Sequence, residues 1–147
     1  MDRFATAMGS QVDAVNAVAD AANFANTCVY NSVTSNNPTL AAAKMVGGIV
    51  KLSGQTGAQT VTTDTATNIV AAIPGAQVGS VFELVIINAN SASGAATLAG
   101  GSGVTLVGDV DVPIAQSQIY RGIVTGVGTP AVSLYGLLSA AQLVDNT

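Results

Sequence analysis

From Gly47 onward the chain consists of short apolar runs separated by glycine-rich turns. The runs Gly48–Ser53 and Gln59–Thr63 are rich in Val, Ile, Leu and Thr and are joined by a turn at Gly54–Gly57. Runs of this length and composition favour β-strands. The most hydrophobic run, Val78–Asn88, is predicted to be a central strand. Further strands are predicted at Ala95–Ala99, Gly103–Val107, Val110–Ala115, Gln118–Thr125 and Ala131–Leu138.

A short helix interrupts this series of strands. Asp64 is predicted to cap a helix over Thr65–Ile73, which Pro74-Gly75 ends. Short strands separated by glycine turns are typical of a small sandwich or barrel. The predicted fold class is therefore mainly β: a small antiparallel β-sandwich or barrel with one short helix, preceded by an N-terminal helical arm. The predicted division of the chain is residues 1–47 for the arm and linker and residues 48–147 for the β-domain.

The first 29 residues are Ala-rich and carry apolar residues at alternating spacings of three and four, which predicts a helix with one narrow apolar seam. A helix of this length and composition is marginal alone in water, so the seam is expected to lie against sister subunits, a partner, or its own domain. Tyr30–Lys44 follows with a linker composition and a short Ala-rich turn. The seam comprises Ala5, Met8, Val12, Val15, Ala19 and Ala22.

The 147 residues include only four Lys or Arg and eight Asp or Glu, which gives a net charge of −4, and no His. Nucleic-acid binding needs several cationic side chains on one face, and an anionic membrane surface has the same requirement. Neither partner is predicted. Glycine-rich turns divide both long uncharged stretches, so a membrane span is not expected. The single Cys28 excludes an internal disulfide and is expected to be a buried thiol.

No set of residues in the sequence predicts catalysis. Asp109 and Asp111 lack the further oxygens that a hard cation needs, and they are interpreted as solvated turn carboxylates. Glu83, the only glutamate, is expected to face solvent or an interface. Gly100–Gly103 lacks the Lys-Ser/Thr of a phosphate-binding loop, and a Lys51/Ser53 pair is common in β-domains. No enzyme activity, cofactor, metal or small-molecule substrate is predicted, and the remaining class is an interaction protein.

Two segments resemble small β-domains of tailed-bacteriophage virions. The first runs from Val61 through Ile73-Pro74-Gly75 to Ala76, and the second is Val78–Asn88. The later segments Leu98–Gly108 and Pro130–Tyr135 are also similar to these virion domains, so that the resemblance covers roughly residues 48–138. It implies a capsid decoration (cement) protein, commonly trimeric, on the outer surface of the virion shell. A head or tail fibre protein is the less frequent implication.

The hypothesis from this resemblance is a structural virion protein that binds the outer capsid surface as a homotrimer and stabilises the shell, with the major capsid protein as partner. The alternative is a receptor-binding or fibre-tip adhesion module. The resemblance does not cover the arm, and residues 1–30 are predicted from their own pattern to be the shell-docking element, unless the arm only assembles the trimer. Its predicted partner contacts are Phe4, Met8, Val12, Val15 and Phe24.

Overall fold

The computed structural model describes residues 28–137, of which about 46% are in strands and 9% in helices. The mainly β fold class is thereby confirmed. Residues 1–27 of the predicted N-terminal arm fall outside these residues, as does the segment after Leu137. None of the described helices has the length and apolar character needed to cross a membrane. The elements are β1 (Val29–Val33), α1 (Ala42–Met45), β2 (Gly48–Leu52), β3 (Gln59–Thr62), α2 (Ala66–Ala71), β4 (Val81–Asn88), β5 (Ala96–Ala99), β6 (Val104–Gly108), β7 (Asp111–Val112), β8 (Gln116–Gly126) and β9 (Ala131–Gly136).

The strands form a six-stranded sheet in the order β1-β2-β4-β8-β9-β6 and a three-stranded sheet in the order β3-β5-β7. The prediction of an antiparallel sandwich or barrel is wrong in two respects. The β1–β2, β2–β4, β6–β9 and β3–β5 pairs are parallel, and the described strands close no barrel. Parallel neighbours need a crossover connection. The crossover from β2 to β4 passes through β3 and α2, and it returns the chain to the first sheet in the same direction.

The segment predicted to be a linker, Tyr30–Lys44, belongs to the folded β structure. Strand β1 pairs with β2 along its whole length, from Val29 opposite Gly48 to Val33 opposite Leu52. The six-stranded sheet therefore includes residues on the arm side of the predicted boundary at residue 47. The rest of the segment is tied to β3, because the Asn37 N–H donates to Gln59 Oε1 at 2.6 Å. It also supplies a second short helix, α1, where only a turn was expected.

The two sheets share one hydrophobic core. Strand β4 alternates strictly, so that Phe82, Leu84 and Ile86 are buried on its inner face. The three-stranded sheet contributes Val61 and Leu98, among others, to the same core. The central position predicted for the Val78–Asn88 run is confirmed, since β4 is third of the six strands. The alternation that fills the core on one face of β4 also determines which side chains lie on the opposite face.

Helix α2 is shorter than predicted and is capped by a different residue. It runs from Ala66 to Ala71, and the side chain of Thr65 accepts the N-capping hydrogen bond from the Asn68 N–H. The Asp64 carboxylate instead accepts from Ala42 N–H (2.8 Å), Thr65 N–H (2.8 Å) and Asn68 Nδ2 (2.7 Å). This carboxylate therefore ties α1 to the start of α2.

Three buried amide side chains connect the ends of the two sheets. Asn88 Nδ2 donates to the carbonyl oxygens of Gly94 and Val112, both at 2.8 Å. Asn90 Nδ2 donates to Asn88 Oδ1 and to Gln55 Oε1, again at 2.8 Å. Buried polar groups are costly unless they are paired, and these groups are paired with one another and with the backbone. The cluster is therefore explained by its role in the fold.

Candidate functional site

The outer face of the six-stranded sheet carries a continuous row of apolar side chains. The register places Tyr30 opposite Ile49, Ile49 opposite Val85, and Val85 opposite Ile119. The backbone N–H of Leu137 donates to the carbonyl oxygen of Ile119 at 3.0 Å, which continues the row past the end of β9. We call Tyr30, Ile49, Val85, Ile119 and Leu137 the outer row.

The two ends of the outer row are more exposed than its centre. Tyr30 is 59% exposed, Ile119 45% and Leu137 42%, whereas Ile49 and Val85 are half-buried by their neighbours in the sheet. One exposed apolar side chain is ordinary on a protein surface, but contiguous apolar surface marks a site of interaction. The five members of the row lie on β1, β2, β4, β8 and just after β9, and no polar residue lies between them. The row is the strongest candidate for a functional surface within residues 28–137.

An ion pair borders the outer row on one side. Glu83 on β4 and Arg121 on β8 are opposite each other, and Arg121 donates to Glu83 Oε1 at 2.9 Å. Their side chains are 55% and 53% exposed, so that water screens the pair and limits its contribution to stability. The expectation that Glu83 points away from the core, toward solvent or an interface, is confirmed. The pair is neutral, and Lys51, two positions after Ile49 on the same face of β2, adds one positive charge.

Both ends of the described chain lie at the outer row. At the N-terminal end, Cys28 is the first described residue, and it precedes Tyr30 of the edge strand β1 by two positions. At the C-terminal end, the last described residue is Leu137, itself a member of the outer row. Cys28 is exposed, so its expected burial is wrong. It lies before the first residue of β1, where the apolar neighbours Val29 and Tyr30 are exposed themselves and provide no core for the thiol. The candidate surface therefore lies at both ends of the described part of the chain.

The predicted turn carboxylates have structural partners. Asp109 Oδ1 accepts from the Asp111 N–H at 3.0 Å, and Asp111 Oδ1 accepts from the Thr97 hydroxyl at 2.8 Å. Between residues 28 and 137, no group of three or more His, Cys, Asp or Glu side chains is arranged to hold a metal ion. These carboxylates therefore stabilise the turn between β6 and β7 and the neighbouring strand β5.

The glycine cluster at residues 100–103 has a packing explanation. A Cβ atom on Gly101 would lie 2.5 Å from the carbonyl oxygen of Asp64, and the Gly101 N–H donates to Thr63 Oγ1 at 2.8 Å. The Ser102 carbonyl accepts from the first N–H of α2, that of Ala66, at 2.8 Å. The backbone thus approaches the start of α2 more closely than a side chain would permit, and the cluster completes the hydrogen bonding of this helix end.

Two titratable groups are shifted for structural reasons. The hydrogen bond from the Asn68 side chain, with those from Ala42 and Thr65 N–H, holds the pKa of Asp64 below its usual value despite partial burial. Burial raises the pKa of the Tyr120 phenol, and the nearby carboxylates Asp109 and Asp111 raise it further. Both groups belong to the β-domain core or its turns and not to the outer row, and neither points to a reaction.

The predicted partner contacts Phe4, Met8, Val12, Val15 and Phe24 lie outside the described residues and stay a prediction. Sequence reasoning placed partner contacts only in the arm and missed the outer row. Its members are scattered along the chain, and each belongs to an ordinary alternating strand. Only the pairing register brings them together. The one available signal was that several strands carry apolar residues on both faces.

Comparison of the chain with protein-family models, with curated proteins and with solved structures finds no match.

Proposed function

We propose that this chain is a structural virion protein that binds the outer surface of a phage capsid as a homotrimer and stabilises the shell, with the major capsid protein as its partner. The resemblance of residues 48–138 to virion β-domains suggested this function. The observation that supports it best is the outer row, because an exposed, contiguous apolar surface is suited to binding and assembly.

The charge of the chain favours the same class of function. Only 8% of its residues are charged, and the outer face pairs its Glu83 with Arg121. A weakly charged surface loses little hydration energy when it packs against a neighbour, and interface cores are depleted of charged residues. A protein covering a shell has extensive contacts of this kind with its neighbours.

In this proposal the arm supplies the shell contacts, through Phe4, Met8, Val12, Val15 and Phe24. Three arms on one trimer bind together, so the second and third attachments are intramolecular, and modest affinity per arm gives durable attachment. Apolar burial contributes about 25 cal/mol per Å² before ordering costs are subtracted. Each arm is thus expected to contribute several kcal/mol.

The test uses shells purified from a phage strain that lacks the gene for this chain. Added wild-type protein is expected to bind to saturation and to raise the temperature at which the shells rupture. Val12→Asp places a charge in the seam and is expected to weaken binding strongly, while Asn16→Asp, at a position outside the seam, is the matched control. Failure of the wild-type protein to bind shells would contradict the proposal. Unchanged binding by Val12→Asp would show that the arm does not bind the shell through this seam.

The alternative, a receptor-binding or fibre-tip module, would recognise a host glycan or protein through the β-domain. The two proposals differ in the number of copies per particle, because fibre tips are rare on each particle. Binding of the purified chain to host cells, with no binding to shells, would favour this alternative.

A further inference from the structure

We propose that the outer face of the six-stranded sheet is the surface through which sister copies of this chain meet in the trimer. This inference rests on the trimeric state in the proposed function and adds the surface that forms it. The occupant of the outer row is thus a second copy of the chain, and the contacts centre on Tyr30, Val85 and Ile119.

The first support is the shape of the apolar surface. The outer row runs across the sheet from the edge strand β1 to the residue that follows β9, and its exposed members lie at both of its ends. Apolar neighbours extend it on either side. Ile87 lies on one side and Tyr135 on the other, and Tyr135 is 37% exposed. An apolar row across the open face of a sheet is better suited to another protein surface than to a small ligand, which needs a concavity.

The second support is the charge next to the row. Glu83 and Arg121 lie side by side, each more than half exposed, and Lys51 lies on the same face at the other side of the row, opposite Ile87. A sister copy brings the same groups with it, and Glu83 of one copy has an Arg121 available on the next. The face thus has two basic groups and one acidic group, and so small an excess of charge does not match a strongly acidic or strongly basic partner.

The third support is the position of the chain ends. Residues 1–27 join the described chain at Cys28, two positions before Tyr30 at one end of the outer row. If three outer faces turn toward a common axis, the three arms start close to that axis. Packing of the faces would therefore place the three arms side by side, so that all three can bind the shell together.

The test is the mass of the full-length protein in solution, measured by light scattering at micromolar concentration. The wild type is expected to have about three times the 14.4 kDa chain mass. Ile119→Lys places a charge at an exposed position of the row and is expected to give a single-chain mass with an unchanged circular dichroism spectrum. Thr60→Lys is the matched control, because Thr60 is an exposed strand residue of the three-stranded sheet, and this variant is expected to remain trimeric.

The only cysteine of the chain provides a second measurement without any substitution. Cys28 is exposed and precedes Tyr30 by two positions, so a spin label on its thiol reports on the end of the outer row. The labelled wild type is expected to show a defined distance between labels on different chains. The same label in Ile119→Lys is expected to show no such distance, while in Thr60→Lys the distance is retained.

Three results would overturn the inference. A monomeric wild type would mean that the face is covered by the chain's own termini or by a different protein. A trimeric Ile119→Lys with unchanged label distances would place the subunit contacts elsewhere, and so would dissociation of both lysine variants alike. These outcomes are distinct from failure of the proposed function. A trimer that depends on Ile119 but does not bind shells would support the subunit surface and contradict the capsid-binding function.

Discussion

The ring of Phe82 occupies the space that a side chain at position 122 would need. The two residues are opposite each other on β4 and β8, and a Cβ atom built on Gly122 would lie 2.2 Å from Phe82 Cζ. The glycine thus permits an aromatic ring to lie flat against the inner face of the sheet. Burial of the ring, which is 5% exposed, depends on the absence of a side chain across the strand pair.

Gly122→Ala is therefore expected to destabilise the protein by about 1–3 kcal/mol, because the ring must move out of a packed position. Chemical denaturation of both proteins measures the change. Gly128→Ala is the matched control: a Cβ atom there meets nothing within 4 Å, and its effect should stay within about 0.5 kcal/mol. Equal stabilities for Gly122→Ala and the wild type would show that the ring position is not fixed by the glycine.

Asn88→Ala is expected to cost about 2–4 kcal/mol, since it leaves the buried carbonyls of Gly94 and Val112 without their donor. It also removes the acceptor of the Asn90 side chain. Ser91→Ala, an exposed position in the neighbouring loop, should change stability little. The free energies of unfolding of the two variants test the role of the cluster, and a loss for Asn88→Ala no greater than for Ser91→Ala would contradict it.

The local elements of the fold could be predicted from the sequence, because each depends on neighbouring residues. Val, Ile and Thr runs located β2, β4, β8 and β9, and the Asp64-Thr65 pair marked the start of α2. The capping residue was assigned one position too early, because Asp64 and Thr65 both have side-chain acceptors. Only the structure shows that the Asp64 carboxylate also accepts from α1.

Strand pairing could not be predicted in the same way. The polar stretch around Asn36-Asn37-Pro38 has the composition of a linker. The Asn37 N–H nevertheless donates to Gln59 Oε1, and Asn37 Oδ1 accepts from the Thr60 N–H, more than twenty residues along the chain. The pairing of β1 with β2 likewise depends on a partner elsewhere in the chain. The outer row is determined by these pairings, so it could not be predicted without them.

Asp64 is expected to make stability depend on pH. Its pKa in the folded protein is lowered, mainly by the Asn68 side chain, so the ionised form favours folding. This contribution is complete above the usual aspartate pKa of about 3.9 and is lost as the pH falls through the lowered value. Asp64→Asn should therefore be less stable than the wild type at neutral pH. The difference should shrink in acid, as measured by denaturant midpoints across this range, and a constant difference would contradict the assignment.

The copy number of this chain in purified virions tests the proposed function most directly. Particles from cultures that produce the chain would be separated, and the molar ratio of this chain to the major shell protein would be measured by quantitative gel or mass spectrometry. A decoration protein is expected at a ratio of the same order as the shell protein itself. A few copies per particle, or none, would contradict the account, and a few copies would favour the fibre-tip alternative.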